Sequence, residues 1–142
     1  MRSLVILLAE DNPGDVLLVR QALREHFSDI EMFVADTGEK AAALLDRVGK
    51  ELPRPDVLVL DLNLPGVEGT ELFQKVRDHP LCADTPIVVV TSSNSPKDRA
   101  WTATFGIAHY FRKPSDFDEF MKLGAVVREI VDSSGRNGPR VV

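Results

Sequence analysis

The sequence has almost no cysteine and no long apolar run. Cys82 is the only cysteine in 142 residues, so neither an internal disulfide nor a thiolate metal cluster can form. No apolar stretch approaches the roughly 18 uninterrupted residues that cross a bilayer, and the first residues lack the apolar segment and cleavage site of a signal peptide. We therefore expect a cytoplasmic protein that has no redox function and does not insert into a membrane.

Positive charge is also scarce. The chain has 17 lysines and arginines against 22 acidic residues, a net charge of -5. Nucleic acid binding needs clustered basic residues that displace phosphate counterions, so direct binding to nucleic acid is disfavoured. The length suits one domain with its own core. We expect that domain to occupy residues 1–132 and to be followed by a flexible tail at 133–142, which has no core-forming pattern.

Short apolar runs alternate with helical patterns along the chain. Nearly continuous apolar runs of this length are typical of parallel strands that helices cover on both faces, so the predicted fold class is α/β. The predicted strands lie near residues 4–9, 31–35, 57–60, 87–90 and 107–111. The predicted helices lie near residues 13–26, 38–48, 67–78, 96–106 and 116–132.

The fourth predicted helix has clear signals at both ends. Ser95 precedes Pro96 as an N-cap, and Asp98 stands at the capping-box position. Gly106 is the expected C-terminal cap. These residues place a short helix between the fourth and fifth strands.

Chemically reactive side chains follow four of the predicted strands. Glu10 and Asp11 follow the first strand, and Asp61 follows the third. Thr91 ends the fourth strand, and Lys113 comes shortly after the fifth. Strand-to-helix loops of a parallel sheet lie at one edge because the crossovers are right-handed. We therefore expect these five side chains to surround one shallow pit.

The acids of this pit need a compensating cation. Two carboxylates about 4 Å apart repel each other by about 4 kcal/mol at an effective dielectric constant of 20. That is a large share of a domain stability of about 5–15 kcal/mol. Oxygen ligands without histidine or thiolate favour a hard divalent ion, and Mg²⁺ suits an open polar site that also receives phosphate oxygens. The pattern therefore predicts Mg²⁺-dependent phosphoryl transfer.

Asp61 is interpreted as the nucleophile because it lies between the acidic pair and the side that carries Thr91 and Lys113. Lys113 would pair with a phosphoryl oxygen as a point charge. The Thr91 hydroxyl would donate a hydrogen bond to another phosphoryl oxygen after it rotates inward. Tyr110, near the end of the fifth strand, is placed to report that rotation by turning inward or outward.

Each of these residues has a plainer explanation when it is taken alone. Glu10 and Asp11 could merely favour the start of a helix. Asp61 could be a turn residue, and Lys113 a solvated cation in a loop. Their coincidence at the same end of different strands makes one common site the preferred interpretation.

Three other functions are less consistent with this sequence. The main alternative is a Mg²⁺-dependent aspartyl-phosphate phosphatase of the haloacid-dehalogenase type. Such phosphatases carry an Asp-x-Asp pattern on their first strand, whereas Asp61 lies on the third predicted strand and Asn63 replaces the second acid. A flavodoxin-like cofactor binder would need a hydroxyl-rich or glycine-rich loop after the first strand. A constitutive adaptor would not need the reactive residues.

With these residues in place, the segment 4–132 resembles a response-regulator receiver domain of two-component signalling. Beyond the pit, the resemblance is carried by Pro65, Gly69, Ser92 and Pro114. It implies a flavodoxin-like sheet of five parallel strands in the order 2-1-3-4-5, with helices on both faces. It also implies a cis peptide bond before Pro114.

The same resemblance implies a phosphoacceptor switch rather than an enzyme. Asp61 would accept a phosphoryl group from the phosphohistidine of a partner kinase. Thr91 and Tyr110 would form the switch pair, which changes the surface of the last two helices and the last strand. The implied metal ligands are Asp11, Asp61, the main-chain carbonyl of Asn63 and, through water, Glu10.

A finer resemblance is to the single-domain regulators that partner bacterial and cyanobacterial phytochromes. It is carried by residues 10–18, 61–65, 90–93 and 113–117. It implies a red or far-red light-sensing histidine kinase as the partner, and homodimers formed through the last helices and strand. The signal is expected to pass to another protein or back along a phosphorelay, because a short tail cannot fold alone.

The last predicted helix has two apolar stripes. One contains Phe117, Met121, Gly124 and Val131, and the other contains Phe120, Leu123, Val127 and Ile130. A helix that is apolar on two faces needs two partners, which supports a homodimer. The alternative is that the second stripe only meets a neighbouring helix of the same chain.

Overall fold

The computed structural model describes residues 3–134, so the predicted tail at 133–142 lies outside the described residues except for Ser133 and Ser134. Five strands alternate with five helices. The strands are β1 (Leu4–Ala9), β2 (Ile30–Ala35), β3 (Val57–Leu60), β4 (Ile87–Thr91) and β5 (His109–Arg112). The helices are α1 (Pro13–Arg24), α2 (Gly38–Arg47), α3 (Gly69–Asp78), α4 (Pro96–Ala103) and α5 (Phe117–Asp132). The predicted alternation is confirmed.

The strands form one parallel sheet in the order β2-β1-β3-β4-β5. The central strands β1, β3 and β4 are buried along their whole length, because helices cover both faces. The edge strands β2 and β5 are partly exposed. The α/β class and the strand order are therefore confirmed. Within residues 3–134, every helix is too short or too polar to cross a membrane.

Alternate residues of β1 fill two cores on opposite faces of the sheet. Ile6 and Leu8 belong to the core that α1 and α5 cover, whereas Leu7 belongs to the core that α2 and α3 cover. Helices α1 and α5 approach closely at Gly124, where a Cβ atom would collide with the carbonyl oxygen of Ala22. This contact holds α1, and with it the loop after β1, against α5.

The predicted start of α4 is confirmed, but Asp98 does not close a capping box. The Ser95 hydroxyl oxygen accepts a hydrogen bond from the Asp98 amide at 3.4 Å. The Asp98 carboxylate instead accepts hydrogen bonds from the Ser93 hydroxyl and the Trp101 indole. Gly106 follows the helix with a φ of 66°, a left-handed conformation that glycine adopts without strain. The helix itself ends at Ala103 with Thr104 as its C-cap, so the prediction that Gly106 caps the helix is wrong by two residues.

The prediction of a cis peptide bond before Pro114 is wrong. Every peptide bond among the described residues is trans. A bond before proline favours the trans form by about 0.5–1 kcal/mol unless its surroundings select the cis form. In this structure Lys113 reaches the carboxylates of Glu10 and Asp61 from the trans arrangement.

The second apolar stripe of α5 is buried within this chain. Phe120, Leu123 and Val127 are 2%, 0% and 0% exposed, and they share a core with residues of β1 and α1. The inference that this stripe needs a partner subunit is therefore wrong, because the sheet and α1 already cover it. Phe117, which the first stripe contains, is instead 46% exposed at the start of α5.

Candidate functional site

Three acids meet at the carboxyl edge of the sheet. Glu10 and Asp11 follow β1, and Asp61 follows β3, which pairs with β1. One carboxylate oxygen of each residue lies within 4.8 Å of the others. Glu10 and Asp61 are buried, at 2% and 6% exposure, whereas Asp11 is exposed. The structure thus brings together the three acids that the sequence predicted to share a site.

Lys113 supplies the positive charge of the site. Its Nζ lies 2.7 Å from Glu10 Oε1, 2.8 Å from Asp15 Oδ2 and 2.9 Å from Asp61 Oδ2. Burial by itself would lower the Lys113 pKa, but hydrogen bonds from the ammonium to Asp15, Glu10 and Asp61 outweigh that effect and raise the pKa above its ordinary value. Lys113 is therefore a permanent cation in this site.

The pKa of Glu10 is raised by its place in the cluster. Its pKa rises from 4.5 to about 7, mainly because burial disfavours the charged carboxylate and also because Asp61 lies close by. The hydrogen bond from Lys113 opposes this rise without cancelling it. A single lysine therefore does not fully compensate the buried acids, and the site favours additional positive charge.

Both oxygens of the Asp61 carboxylate have hydrogen-bond donors. Asp61 Oδ1 accepts from the Asn63 amide at 3.1 Å, and Oδ2 accepts from Lys113 Nζ at 2.9 Å. The Asn63 side-chain nitrogen in turn donates to the buried Thr91 hydroxyl oxygen at 3.4 Å. Asn63 thus connects the carboxylate after β3 to the hydroxyl at the end of β4.

Tyr110 lies outside the acidic cluster but is joined to it through Ser93. The Ser93 amide donates to the Thr91 hydroxyl oxygen at 3.3 Å. The Tyr110 hydroxyl donates to the Ser93 carbonyl at 3.0 Å, and the Arg99 guanidinium lies 4.2 Å from the centre of the tyrosine ring. A movement of Thr91 would therefore reach Tyr110 through the loop between β4 and α4.

A hydrogen-bonded group that the sequence analysis missed joins this loop to α4. Ser93 Oγ donates to Asp98 Oδ2 at 2.6 Å, and Trp101 Nε1 donates to Asp98 Oδ1 at 3.0 Å. The hydrogen bonds from Ser93 and Trp101 lower the Asp98 pKa. The Trp101 ring packs edge-on against Phe73 of α3, with ring centroids 5.1 Å apart. Asp98 therefore ties the loop after β4 to the aromatic contact between α3 and α4.

Replacing Asp98 with alanine should lower the free energy of unfolding by about 1–2 kcal/mol, because two hydrogen bonds to a carboxylate are lost. Asp98→Asn should lose less, since the amide oxygen can still accept one of them. Urea unfolding followed by the emission of Trp101, which is the only tryptophan, measures both effects. An Asp98→Ala protein as stable as the wild type would show that the group contributes nothing.

Asp15 is a second residue near the site that the sequence analysis missed, and it contacts Lys113. It lies in the first turn of α1, where an acid also stabilises the start of the helix. The available signal was its place in the first turn of α1, shortly after the loop that carries Glu10 and Asp11. Its contact with Lys113 depends on how α1 packs, which that place does not reveal.

The donor set of the acidic cluster fits a hard divalent cation. It consists of the carboxylates of Glu10, Asp11 and Asp61. Oxygen ligands of this kind suit Mg²⁺, which keeps part of its water shell when it binds one or two carboxylates. The exposed Asp11 leaves one side of the cluster open to solvent. A metal ion at this position would add the positive charge that the raised Glu10 pKa indicates is favourable.

The family model of the response regulator receiver domain matches residues 6–124. The chain belongs to the receiver domain family. The transcriptional regulatory protein TrcR of Mycobacterium tuberculosis is 37% identical to this receiver domain over 116 residues, which cover 82% of this chain and 42% of TrcR. The response regulator Rcp1 of Synechocystis is 31% identical over 121 residues, which cover 84% of this chain and 82% of Rcp1. The receiver domain thus spans less than half of TrcR but most of Rcp1.

Two solved structures resemble this receiver domain along nearly its whole length. The phosphorylated cyanobacterial phytochrome response regulator RcpA superimposes with a TM-score of 0.83 at 26% identity, covering 94% of this chain and 97% of that one. The Mn²⁺-bound form of Rcp1 gives a TM-score of 0.77 at 29% identity, covering 95% and 98%. A homologous receiver domain therefore binds a divalent metal, and this chain has a cluster of three acids whose oxygens could hold one.

Proposed function

We propose that this receiver domain is a phosphorylation switch that accepts a phosphoryl group on Asp61 from a partner sensor histidine kinase. The observation that carries the proposal is the position of the Asp61 carboxylate. It lies beside Glu10 and Asp11 on one side and is hydrogen-bonded to Lys113 on the other. A nucleophilic oxygen, a set of metal ligands and a fixed cation are the parts that phosphoryl transfer needs.

In the proposed reaction, an Asp61 carboxylate oxygen attacks the phosphorus of the kinase phosphohistidine. A new oxygen–phosphorus bond forms, the phosphorus–nitrogen bond breaks, and its electron pair leaves with the imidazole. The product is an acyl phosphate on Asp61. Hydrolysis ends the phosphorylated state of Asp61. A water oxygen attacks the phosphorus, inorganic phosphate is released and the carboxylate is restored.

The charges around Asp61 suit the oxygens of the transferring group. Lys113 Nζ, already 2.9 Å from Asp61 Oδ2, would donate to a phosphoryl oxygen. The ligands proposed for Mg²⁺ are Asp11, Asp61, the main-chain carbonyl of Asn63 and, through water, Glu10. When bound, Mg²⁺ would neutralise negative charge on the phosphoryl oxygens.

The proposed output is a change in the surface formed by α4, β5 and α5. The Thr91 hydroxyl would turn towards the phosphoryl group and leave the contacts from Asn63 and the Ser93 amide. The loop that contains Ser93 would then move. The Tyr110 hydroxyl, which donates a hydrogen bond to the Ser93 carbonyl, would move with it. A modification can shift the balance between two conformations only through contacts that differ between them. In the proposed switch, the hydrogen bonds of Thr91 and Tyr110 are such contacts.

The geometry does not favour the alternative of a haloacid-dehalogenase type phosphatase. Asp61 follows β3 rather than the first strand, and residue 63 is asparagine instead of the second acid. The Asp61 carboxylate is buried at 6% exposure, but the neighbouring Asp11 is exposed, so the cluster opens to solvent on that side. A site that receives a phosphoryl group from another protein needs this access, so we favour a phosphoacceptor over an enzyme that encloses a substrate.

The proposed partner is a phytochrome-type histidine kinase. The support is the similarity over most of its length to RcpA, described as a phytochrome response regulator, and to Rcp1. We propose that a red or far-red light sensor supplies the phosphoryl group.

Incubation with Mg²⁺ and acetyl phosphate should attach one phosphoryl group to each chain. Acetyl phosphate replaces the kinase as a donor that needs no docking surface. The modification should be stable in acid and labile in base, as expected of an acyl phosphate, and intact-protein mass spectrometry should detect it. Removal of Mg²⁺ with a chelator should prevent it. A wild-type chain that stays unmodified, or a modification that resists base, would overturn the proposal.

Homodimerisation stays a prediction that rests on the resemblance, because the second stripe of α5 is buried. The exposed Phe117 is the apolar residue of α5 whose replacement tests it without disturbing the core. If its surface pairs in a dimer, light scattering should give a dimer mass for the wild type and a weaker dimer for Phe117→Ser. A wild-type chain that is monomeric at high concentration, with and without phosphorylation, would contradict dimerisation.

A further inference from the structure

Asp15 lies outside the residues assigned above to the metal ion or the phosphoryl group, yet it contacts the lysine of the site. Its Oδ2 is 2.8 Å from Lys113 Nζ, and its side chain is 21% exposed. An ammonium group has three hydrogens to donate. In this structure Glu10, Asp15 and Asp61 provide three carboxylate partners for them.

The proposed reaction changes two of these three partners. Phosphorylation converts the Asp61 carboxylate into an acyl phosphate, so Lys113 has to turn one hydrogen from Asp61 to a phosphoryl oxygen. Glu10 lies in the cluster that fits the metal ion. Asp15 is the partner that neither the phosphoryl group nor the proposed metal ligands engage. It can therefore hold Lys113 in the same place before and after the transfer.

Lys113 needs such a holder because its charge sits at the end of a flexible four-carbon chain. Its main chain is anchored, since the Lys113 amide donates to the Thr91 carbonyl at 2.7 Å. Within residues 3–134, its ammonium group is held by the carboxylates of Glu10, Asp15 and Asp61. Asp15 is a suitable anchor because α1 is held against α5 by the close contact between Gly124 and Ala22. The carboxylate thus stands on a fixed helix beside the reacting group.

We propose that Asp15 is a positioning residue that acts through Lys113, holding its ammonium group where a phosphoryl oxygen on Asp61 will lie. This proposal rests on the proposed function of Asp61. It assigns Asp15 no contact with the metal ion or with the phosphoryl group. Its effect on phosphoryl transfer should therefore depend entirely on the presence of Lys113.

The test is a double-mutant cycle with Asp15→Asn and Lys113→Met. We expect Asp15→Asn to slow acyl phosphate formation roughly tenfold at saturating Mg²⁺ and acetyl phosphate, because a misplaced group loses much of its effect on a transition state. In the Lys113→Met background, the same change should alter the rate by less than about twofold, since contacting residues that act together are not additive. Intact-protein mass spectrometry measures all four rates.

Asp36→Asn is the matched control for the loss of one negative charge. Asp36 directly follows β2 at the same edge of the sheet, and its partner is Lys40 at 2.9 Å rather than Lys113. Its replacement should leave the rate of phosphorylation unchanged. If Asp15 acts only through its charge, removing it should speed the reaction with an anionic donor, and should do so in the presence or absence of Lys113. That result would overturn the proposal.

The ammonium resonance of Lys113 provides a readout that does not depend on the reaction. In ¹⁵N-labelled wild type, an ammonium held by three carboxylates should exchange its hydrogens slowly with water and give a visible signal. Asp15→Asn should broaden or remove that signal while leaving the backbone spectrum unchanged. An unchanged ammonium signal would overturn the proposal even if the Lys113→Met protein failed to fold.

The outcomes separate this proposal from the proposed function. A wild-type chain without a base-labile phosphoryl group would overturn both. A wild type that is phosphorylated on Asp61, with an Asp15→Asn variant that reacts at the same rate, would overturn the role of Asp15 alone. An equal loss of rate in both backgrounds would show a structural role without positioning, and would also overturn it.

Discussion

Asp61→Asn is expected to abolish formation of the base-labile phosphoryl group, with the rate falling at least about 1,000-fold, the order seen when a nucleophile is removed. The asparagine side chain is nearly the same size, and its single oxygen can still accept one of the two hydrogen bonds that Lys113 and the Asn63 amide donate to Asp61. Its amide is a poor nucleophile and forms no acyl phosphate. The fold should therefore be preserved while the reaction is lost.

Intact-protein mass spectrometry after incubation with Mg²⁺ and acetyl phosphate checks this expectation. Asp36→Asn makes the same chemical change at an exposed position of the same sheet edge and should retain the modification. Phosphorylation that persists in Asp61→Asn at the wild-type rate would show that another residue is the acceptor. Glu10 and Asp11 would then be the next candidates, because their oxygens lie in the same cluster.

Lys113→Met is expected to lower the free energy of unfolding by about 3–5 kcal/mol in the absence of divalent metal, the usual cost of removing one partner from a buried ion pair. Glu10 and Asp61 are 2% and 6% exposed, so water cannot readily replace the lysine. Methionine fills similar space without charge. Saturating Mg²⁺ should recover much of the loss, because it supplies positive charge to the same carboxylates.

Urea unfolding with and without Mg²⁺ measures this effect, and Lys75→Met is its matched control. Lys75 pairs with Asp46 at 2.7 Å, but both side chains are largely exposed, at 38% and 65%. The control should therefore cost less than about 1 kcal/mol and should not depend on Mg²⁺. Equal stability of Lys113→Met and the wild type without metal would contradict the view that Lys113 compensates the buried acids.

The fold was predictable because its pattern is local. Short apolar runs such as residues 57–60 alternate with helical segments that have recognisable starts, and both depend on neighbours in the chain. The convergence of Glu10, Asp61 and Lys113 was also predictable, because parallel strands end at one edge of the sheet. The chemical roles of these residues stay predictions, since positions alone do not demonstrate a reaction.

The errors came from features that depend on packing. The stripe containing Leu123 and Val127 suggested a partner subunit, but the sheet and α1 of the same chain cover it. Asp98 has the spacing of a capping box, but the Ser93 hydroxyl and the Trp101 indole reach its carboxylate instead. In each case two arrangements satisfy the same local pattern. The choice between them depends on which group lies nearest in the folded chain.

The amino-acid sequence by itself determined the alternation of strands and helices, and with it the edge at which the acids, the threonine and the lysine lie. Both follow from hydrophobic periodicity and from the handedness of the crossovers. Only the tertiary structure decided which carboxylates share Lys113. Asp15 joins Glu10 and Asp61 around Lys113 because α1 packs closely against α5 at Gly124 and Ala22. That packing depends on contacts between residues far apart in the chain.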